Sequence, residues 1–145
     1  MQVRELTPEE FPIAAAVLLE LRPVHGSAEA LARAARGQAT AGYRVAVVER
    51  DGAVLAAAGF RVQENLAFGR HVYVDDLVTA EEHRGHGAAT ALLAHLDALT
   101  AAEGCTQLHL DSGVIPERQA AHRRYFSHGM RITSHHFAKP VEGSS

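Results

Sequence analysis

The chain has 145 residues, which is the size of one ordinary domain and long enough to bury a hydrophobic core without disulfides. Its 14 Lys and Arg against 17 Asp and Glu give a formal net charge of −3, so a nucleic-acid-binding surface is not expected. No apolar run approaches the roughly 20 residues that span a bilayer, and the acidic first segment, residues 1–11, has no apolar signal-peptide region.

These properties predict a cytoplasmic protein with no membrane partner. The single cysteine, Cys105, excludes an intrachain disulfide, fits a reducing compartment and is expected to be a small buried residue. A single domain over residues 1–141 is expected, followed by a flexible tail at residues 142–145.

The first part of the chain predicts a strand and two helices. Residues 3–6 suit a short strand. Thr7 precedes a proline and two glutamates, which is typical of a helix N-cap, so a helix over residues 8–21 is expected. Ser27 is placed to cap a second, alanine-rich helix, and Gly37 is expected to stop it.

The middle of the chain predicts three strands joined by short turns. Residues 43–49 and 54–62 are rich in apolar residues and flank an Asp-Gly pair, the usual signal of a hairpin turn. A second turn over residues 65–69 leads to a strand over residues 71–79. Strands joined by such short turns are expected to pair antiparallel.

The rest of the chain predicts alternating helices and strands. Apolar residues at helical spacing indicate a helix over residues 87–102, and a short strand follows at residues 106–110. A strand–helix–strand crossover makes this strand parallel to the one at residues 71–79. A helix over residues 116–127 and a final strand over residues 130–139 complete the order βααβββαβαβ. This order predicts an α/β fold, a mixed sheet with helices on its faces.

A corner of small residues joins the strand at residues 71–79 to the next helix. Residues 84–89 read Arg-Gly-His-Gly-Ala-Ala, so several backbone N–H groups at the helix start are unpaired and little side chain blocks approach to them. The helix dipole adds partial positive charge there, and Arg84 adds a full one. The corner therefore predicts a binding site for a phosphate or pyrophosphate.

Two common nucleotide motifs do not fit this corner. A Walker A loop requires Gly-x-x-x-x-Gly-Lys-Ser/Thr, a string that the sequence lacks. A dinucleotide fingerprint requires a third glycine where this chain has Thr90. A small nucleotide-binding protein that uses the corner for another phosphate remains an alternative.

Residues 84–89 resemble Arg/Gln-x-x-Gly-x-Gly/Ala, the acyl-CoA pyrophosphate loop of the GNAT N-acetyltransferase superfamily. A later segment resembles the family pattern Asn-x-x-Ala-x-x-x-Tyr-x-x-x-Gly-Phe. Ala121, Tyr125 and Gly129 match this pattern, whereas Arg118 replaces Asn and Met130 replaces Phe. The two motifs are joined by a helix and a strand, as in the family.

The resemblance implies the GNAT fold, in which two parallel central strands, here residues 71–79 and 106–112, splay apart at their C-terminal ends. The pantetheine arm of acetyl-CoA then enters the gap and bonds to the backbone like an added strand. The residues implied for the pantetheine arm are Leu77, Val78 and Thr79. The residues implied around the pyrophosphate are Arg84, Gly85, His86, Gly87, Ala88, Ala89 and Thr90.

The resemblance also implies transfer of an acetyl group from acetyl-CoA to an amine of a small molecule, a peptide or a protein, by direct attack and without a metal. An alkylammonium with a pKa near ~10 must first lose a proton. Tyr125 is the implied general acid for the leaving thiolate, because a phenol with an ordinary pKa is protonated at neutral pH. A strand N–H near Val78 is expected to stabilise the oxyanion.

Asp75 and Asp76 are candidates for the catalytic base. Because adjacent strand residues face opposite sides of a sheet, at most one of them is expected to point into the substrate cleft. Asp76 should share the face of Val78, and Asp75 should share that of Leu77. This alternation does not show which of the two faces borders the cleft, so both residues stay candidates. A carboxylate here could instead hold a cationic substrate, and a water molecule is an equal candidate for the base.

No metal site is predicted, because His83 and His86 lack nearby Cys or carboxylate residues in a standard zinc spacing.

A catalytically silent acyl-CoA-binding or regulatory module on the same fold is the main alternative to an enzyme. Acceptor selection is expected to come from the first two helices and the final strands, and the acids near the cleft suggest a cationic amine. An exposed edge on the final strand would offer a route to a homodimer.

Overall fold

The computed structural model describes residues 1–143. Their contacts divide the chain into two compact units, residues 1–110 and a second unit that begins at Asp111. No helix among the described residues is both long and apolar enough to cross a membrane. The predicted tail at residues 142–145 lies partly outside the described residues and stays a prediction.

The first unit contains a five-stranded mixed sheet with the strands in chain order. Four strands pair antiparallel with their neighbours, and the fifth pairs parallel with the fourth after a crossover through a helix. The mixed sheet predicted from the sequence is confirmed. The strands are β1 (Gln2–Leu6), β2 (Arg44–Arg50), β3 (Ala53–Asn65), β4 (Gly69–Thr79) and β5 (Leu108–Leu110).

Helices cover both faces of this sheet. Helices α1 (Pro12–Leu21) and α2 (Ala28–Ala39) cover one face, and α3 (Ala88–Ala102) covers the other. Successive strand residues alternate between the two faces. Val47 thus packs in the core with α1 and α2, and its neighbour Val48 packs in the core with α3.

The first predicted helix divides into two pieces. Pro8–Glu10 forms a 3₁₀ turn after Thr7, whose N–H donates to the carboxylate of Glu10 at 2.9 Å, and α1 begins only at Pro12. Proline cannot donate the N–H that a continuous helix needs at that position, but it suits a first turn. The predicted stop at Gly37 is wrong. Helix α2 runs through this glycine, which weakens a helix without breaking it.

The second unit contains helix α4 (Gln119–Ser127), which follows a 3₁₀ turn and ends before Gly129 in the left-handed region, as predicted. The predicted strand over residues 130–139 is wrong, because this segment forms neither helix nor strand. Its weak alternation marks no buried face, and Ile132 and Phe137 are 70% and 91% exposed. The strand edge expected to support a homodimer is therefore not formed.

Candidate functional site

An irregularity in β4 brings both candidate carboxylates to one face of the sheet. Two consecutive residues of β3 pair with Val74 and Asp76, so Asp75 is an extra residue between them, a β-bulge. Val74 and Leu77 consequently both pack in the core with α3, although regular alternation would separate them. Asp75 and Asp76 both line one pocket on the opposite face. The expectation that only one of them faces the cleft, with Asp75 beside Leu77, is therefore wrong.

The pocket has a volume of about 260 Å³, and all of its wall belongs to the first unit. Helices α1 and α2, from which acceptor selection is expected, supply much of this wall. The apolar wall residues are Leu18, Leu31, Ala34 and Ala35. The polar and charged wall residues are Arg22, His25, Gln38, Tyr43, Asp75 and Asp76.

Both carboxylate oxygens of Asp76 are hydrogen-bonded to side chains. Oδ1 accepts from Arg22 Nε at 2.7 Å, and Oδ2 accepts from the Tyr43 hydroxyl at 2.7 Å. Burial, followed by the negative charge of Asp76, raises the pKa of Tyr43 well above its usual range, so the hydroxyl stays a donor. A proton on Asp76 would compete with these two bonds. Asp76 is therefore suited to holding Tyr43 and Arg22 in place.

Asp75 keeps one carboxylate oxygen open. Its Oδ2 accepts from Arg61 Nε at 2.9 Å. Arg61 is held in turn by Gln38 Oε1, which accepts from it at 2.6 Å, and lies 5.4 Å from the centre of the Tyr43 ring. Oδ1 of Asp75 has no hydrogen-bond partner within residues 1–143. Asp75 lines the pocket, and its Oδ1 keeps its capacity to accept a hydrogen bond.

Gly59 makes room for the hydroxyl of Tyr43. A Cβ atom at Gly59 would lie 1.8 Å from the Tyr43 hydroxyl oxygen and 2.4 Å from the ring carbon that bears it, well inside any non-bonded contact. A glycine within a strand marks a bulge or a close approach of another group. Sequence reasoning missed Tyr43, and this glycine is the signal from which it could have been found.

We expect Gly59→Ala to lower the free energy of unfolding by about 1–3 kcal/mol, because the added methyl displaces a buried tyrosine from Asp76. Denaturant unfolding of the variant and the parent protein measures this change. Gly37→Ala is the matched control, since a Cβ there meets nothing within 4 Å and lies inside a helix. Equal stability of Gly59→Ala and the parent protein would contradict the close contact at Gly59.

The small-residue corner opens α3 as predicted. Gly85 and Gly87 have φ angles of +83° and +82°, in the left-handed region that favours glycine, and Gly87 is the N-cap of the helix. The N–H groups of Ala88, Ala89 and Thr90 precede the first intrahelical donor and have no acceptor among the described residues. Three backbone donors at a positive helix end thus form an arrangement suited to a phosphate.

Among the strands of the described residues, none pairs with the outer edge of β4 beyond the short β5. Pairing with β5 ends at Val74, whereas β4 continues to Thr79. The N–H of Ala80 donates to the backbone of β3, so by strand alternation the N–H and C=O of Val78 also face β3. Those of Leu77 and Thr79 face the open edge. An extended chain could pair with this edge as an added strand.

Tyr125 is the one buried side chain of α4 and is 9% exposed. Burial raises the pKa of Tyr125 above its ordinary value, and the positive charges of Arg118 and Arg124 oppose this rise. The phenol is therefore protonated at neutral pH. His122 Nε2 lies 3.0 Å from Ser112 Oγ and 2.7 Å from the carbonyl oxygen of residue 113, which ties α4 to the loop before it.

Cys105 is buried, as predicted, with 7% of its surface exposed. Within residues 1–143, no group of three or more His, Cys, Asp or Glu side chains is arranged to hold a metal ion. His83 instead lies 3.4 Å from the carboxylate of Glu82.

The chain matches a model of known protein families described as the acetyltransferase (GNAT) family over residues 2–130. None of the curated protein sequences matches it. Many solved structures share its fold, and three of them show how far the likeness extends.

An aminoglycoside N-acetyltransferase, AAC(6')-Iy in complex with CoA, has a TM-score of 0.83 at 15% identity, over 97% of this chain and 94% of that chain. A ribosomal-protein-alanine N-acetyltransferase from Brucella melitensis biovar Abortus 2308 has a TM-score of 0.83 at 17% identity, over 97% and 100%. An aminoglycoside acetyltransferase, HMB0005, from an uncultured soil metagenomic sample has a TM-score of 0.79 at 22% identity, over 97% and 98%. At these identities the likeness shows the fold.

Proposed function

The chain belongs to the acetyltransferase (GNAT) family of N-acetyltransferases, and from that premise we propose that it transfers an acetyl group from acetyl-CoA to a primary amine held in the pocket beside Asp75. The observation that carries this proposal is the β-bulge, which brings Asp75, a residue with one open carboxylate oxygen, into the wall of a small polar pocket. The pocket suits a small molecule or the end of one side chain. A peptide or protein amine is therefore included among the acceptors.

Acetyl-CoA is proposed to bind along the open edge of β4 and at the start of α3. Leu77 and Thr79 supply outward-facing backbone groups for the pantetheine arm, whereas Val78, which the resemblance also implied, pairs its backbone groups with β3. The backbone N–H groups from Gly85 to Thr90, with the exposed side chains of Arg84 and His86 nearby, supply donors and positive charge for the pyrophosphate. The CoA bound to the structurally similar AAC(6')-Iy supports this assignment.

Asp75 is proposed to take the proton that the acceptor ammonium must lose, either directly on Oδ1 or through a water molecule. The free amine then attacks the thioester carbonyl carbon, so that a C–N bond forms and the C–S bond breaks. A backbone N–H of Leu77 or Thr79, next to Val78, stabilises the oxyanion. The leaving thiolate takes a proton from the phenol of Tyr125, and the acylated nitrogen then loses its extra proton to water, which also returns a proton to the phenolate.

Asp75→Asn is expected to lower kcat/KM by about 10²-fold, because the amide keeps the shape of the side chain and cannot accept the proton. Asp76→Asn is expected to weaken the hold on Tyr43 and Arg22 and to act mainly on the free energy of unfolding. Rates of CoA release and denaturant unfolding, measured on both variants, separate these effects. The reverse pattern would assign the base to Asp76, and full activity in both variants would assign it to water.

Two measurements test the proposed function as a whole. Calorimetry with acetyl-CoA, with a nicotinamide dinucleotide as control, is expected to show micromolar binding of acetyl-CoA only. CoA release is then followed over a panel of small amines and amino-terminal peptides. Binding without release for any amine would support the silent acyl-CoA-binding module, and preference for the dinucleotide would support the nucleotide-binding alternative.

A further inference from the structure

We propose that Arg22 determines the specificity of the acceptor pocket, which takes amines that carry a carboxylate or similar anionic group at their far end and disfavours polycations. This inference rests on the proposed function, since it names the class of acceptor for the same pocket. It replaces the expectation, based on the acids alone, of a cationic acceptor.

The carboxylates of the pocket are each matched by a guanidinium group. Asp75 is bonded to Arg61 at 2.9 Å, and Asp76 is bonded to Arg22 at 2.7 Å. The two negative charges are therefore balanced by two positive charges before any substrate enters. The open Oδ1 of Asp75 can accept one ammonium group. A second ammonium group would find no other open carboxylate oxygen in the wall and would be repelled by the charge of Arg22.

Arg22 differs from Arg61 in how many of its donors are in use. Arg61 is 24% exposed, and it bonds both a carboxylate and the amide of Gln38. Arg22 is 48% exposed. Its Nε donates to Asp76 and its Nη2 to the backbone carbonyl of Asp75, at 2.9 Å, while its Nη1 has no partner within residues 1–143. Remaining N–H groups on a planar guanidinium are suited to a carboxylate.

The position of Arg22 also fits this role. It is the C-cap of α1, directly before the turn at Pro23–His25 that leads to α2. Bonds to Asp76 and to the backbone carbonyl of Asp75 hold its guanidinium in the wall of the same pocket that Asp75 lines. An acceptor can therefore place its amine on Asp75 and its anionic end on Arg22.

The test uses two probes of similar length that differ in charge at the far end, 5-aminopentanoate and 1,5-diaminopentane. Binding of each probe to the free protein is followed by NMR titration at fixed ionic strength, because salt screens such contacts. CoA release with each probe is measured in parallel. The wild-type protein is expected to favour 5-aminopentanoate by about tenfold or more.

Arg22→Ala is expected to lose this preference, and Arg22→Gln provides the same loss of charge with a side chain closer in size. Arg36→Ala is the matched control, since Arg36 is an exposed arginine of α2 outside the pocket wall, and it should keep the wild-type ratio. An unchanged ratio in both Arg22 variants, a wild-type preference for the diamine, or no binding of either probe would overturn the inference.

Failure of the inference and failure of the proposed function are distinguishable. Calorimetry with acetyl-CoA on the same protein samples tests the donor site, which contains neither Arg22 nor Asp76. A protein that binds no acetyl-CoA but still favours 5-aminopentanoate would refute the acetyl transfer and keep the inference on the pocket. A protein that binds acetyl-CoA but shows no preference between the probes would refute the inference on the pocket and keep the proposed function.

Discussion

Tyr125→Phe is expected to lower kcat by about 10²- to 10⁴-fold, the usual contribution of a general acid. The change removes only the hydroxyl from a side chain of α4 that is 9% exposed. The binding of acetyl-CoA and the melting temperature should therefore stay close to those of the parent protein. Steady-state CoA release, calorimetry and thermal unfolding of the same preparation measure the three quantities.

The pH dependence of kcat adds a second readout for Tyr125. Burial raises the pKa of Tyr125 above the ordinary tyrosine value of about 10, so more than half of the phenol is still protonated at that pH. Loss of activity from ionisation of the acid should therefore begin only at strongly alkaline pH, and this limb should vanish in Tyr125→Phe. Tyr73→Phe serves as the matched control on β4. An unchanged kcat in Tyr125→Phe would remove the residue from the mechanism.

Gly87→Glu is expected to weaken strongly the binding of acetyl-CoA at the corner that opens α3. Two like charges about 4 Å apart repel by about 4 kcal/mol near a protein surface, so affinity should fall by about 10²- to 10³-fold. The new side chain would also begin at the N-cap of α3, where the unpaired N–H groups of the helix converge. Calorimetry with acetyl-CoA measures the loss.

Gly87→Glu also strains the backbone, because Gly87 has a φ angle of +82°, which a residue with a side chain rarely adopts. Gly104→Glu controls for this strain, since Gly104 has a φ angle of +74°, meets nothing within 4 Å and follows the other end of the same helix. It adds the same charge at a similar backbone conformation. Comparable loss of acetyl-CoA binding in both variants would attribute the effect to stability and not to the phosphate site.

The corner at α3 could be predicted from the sequence because its properties are local. Gly85 and Gly87 lie next to each other in the chain, and their conformations follow from the strand before them and the helix after them. The same holds for the Asp-Gly hairpin turn, where Asp51 and Gly52 both have positive φ angles. Such features depend little on distant parts of the chain.

The acceptor pocket could not be predicted in this way, because it depends on contacts between distant residues. Tyr43 and Arg22 reach Asp76 from positions 33 and 54 residues away in the sequence. The prediction that Asp75 and Asp76 face opposite sides of the sheet failed, because a β-bulge leaves no periodic signal in the sequence. Only Gly59, on the neighbouring strand β3, indicated that another group approaches the backbone closely.

The misplaced final strand has a different cause. Alternation of side chains stabilises a strand only where one face of it becomes buried. Ile132 and Phe137 remain largely exposed, so their spacing carries no information about the fold. The buried strands β2 and β3, by contrast, were predicted close to their observed bounds.

The bulge in β4 also has a consequence for how such a pocket can be gained or lost. If Asp75 is left out, Val74, Asp76, Leu77 and Val78 alternate between the two faces as in a regular strand. Insertion or deletion of this single codon therefore leaves the phase of every apolar neighbour unchanged. In related genes, the carboxylate could appear or disappear in one mutational step while the hydrophobic core keeps its register.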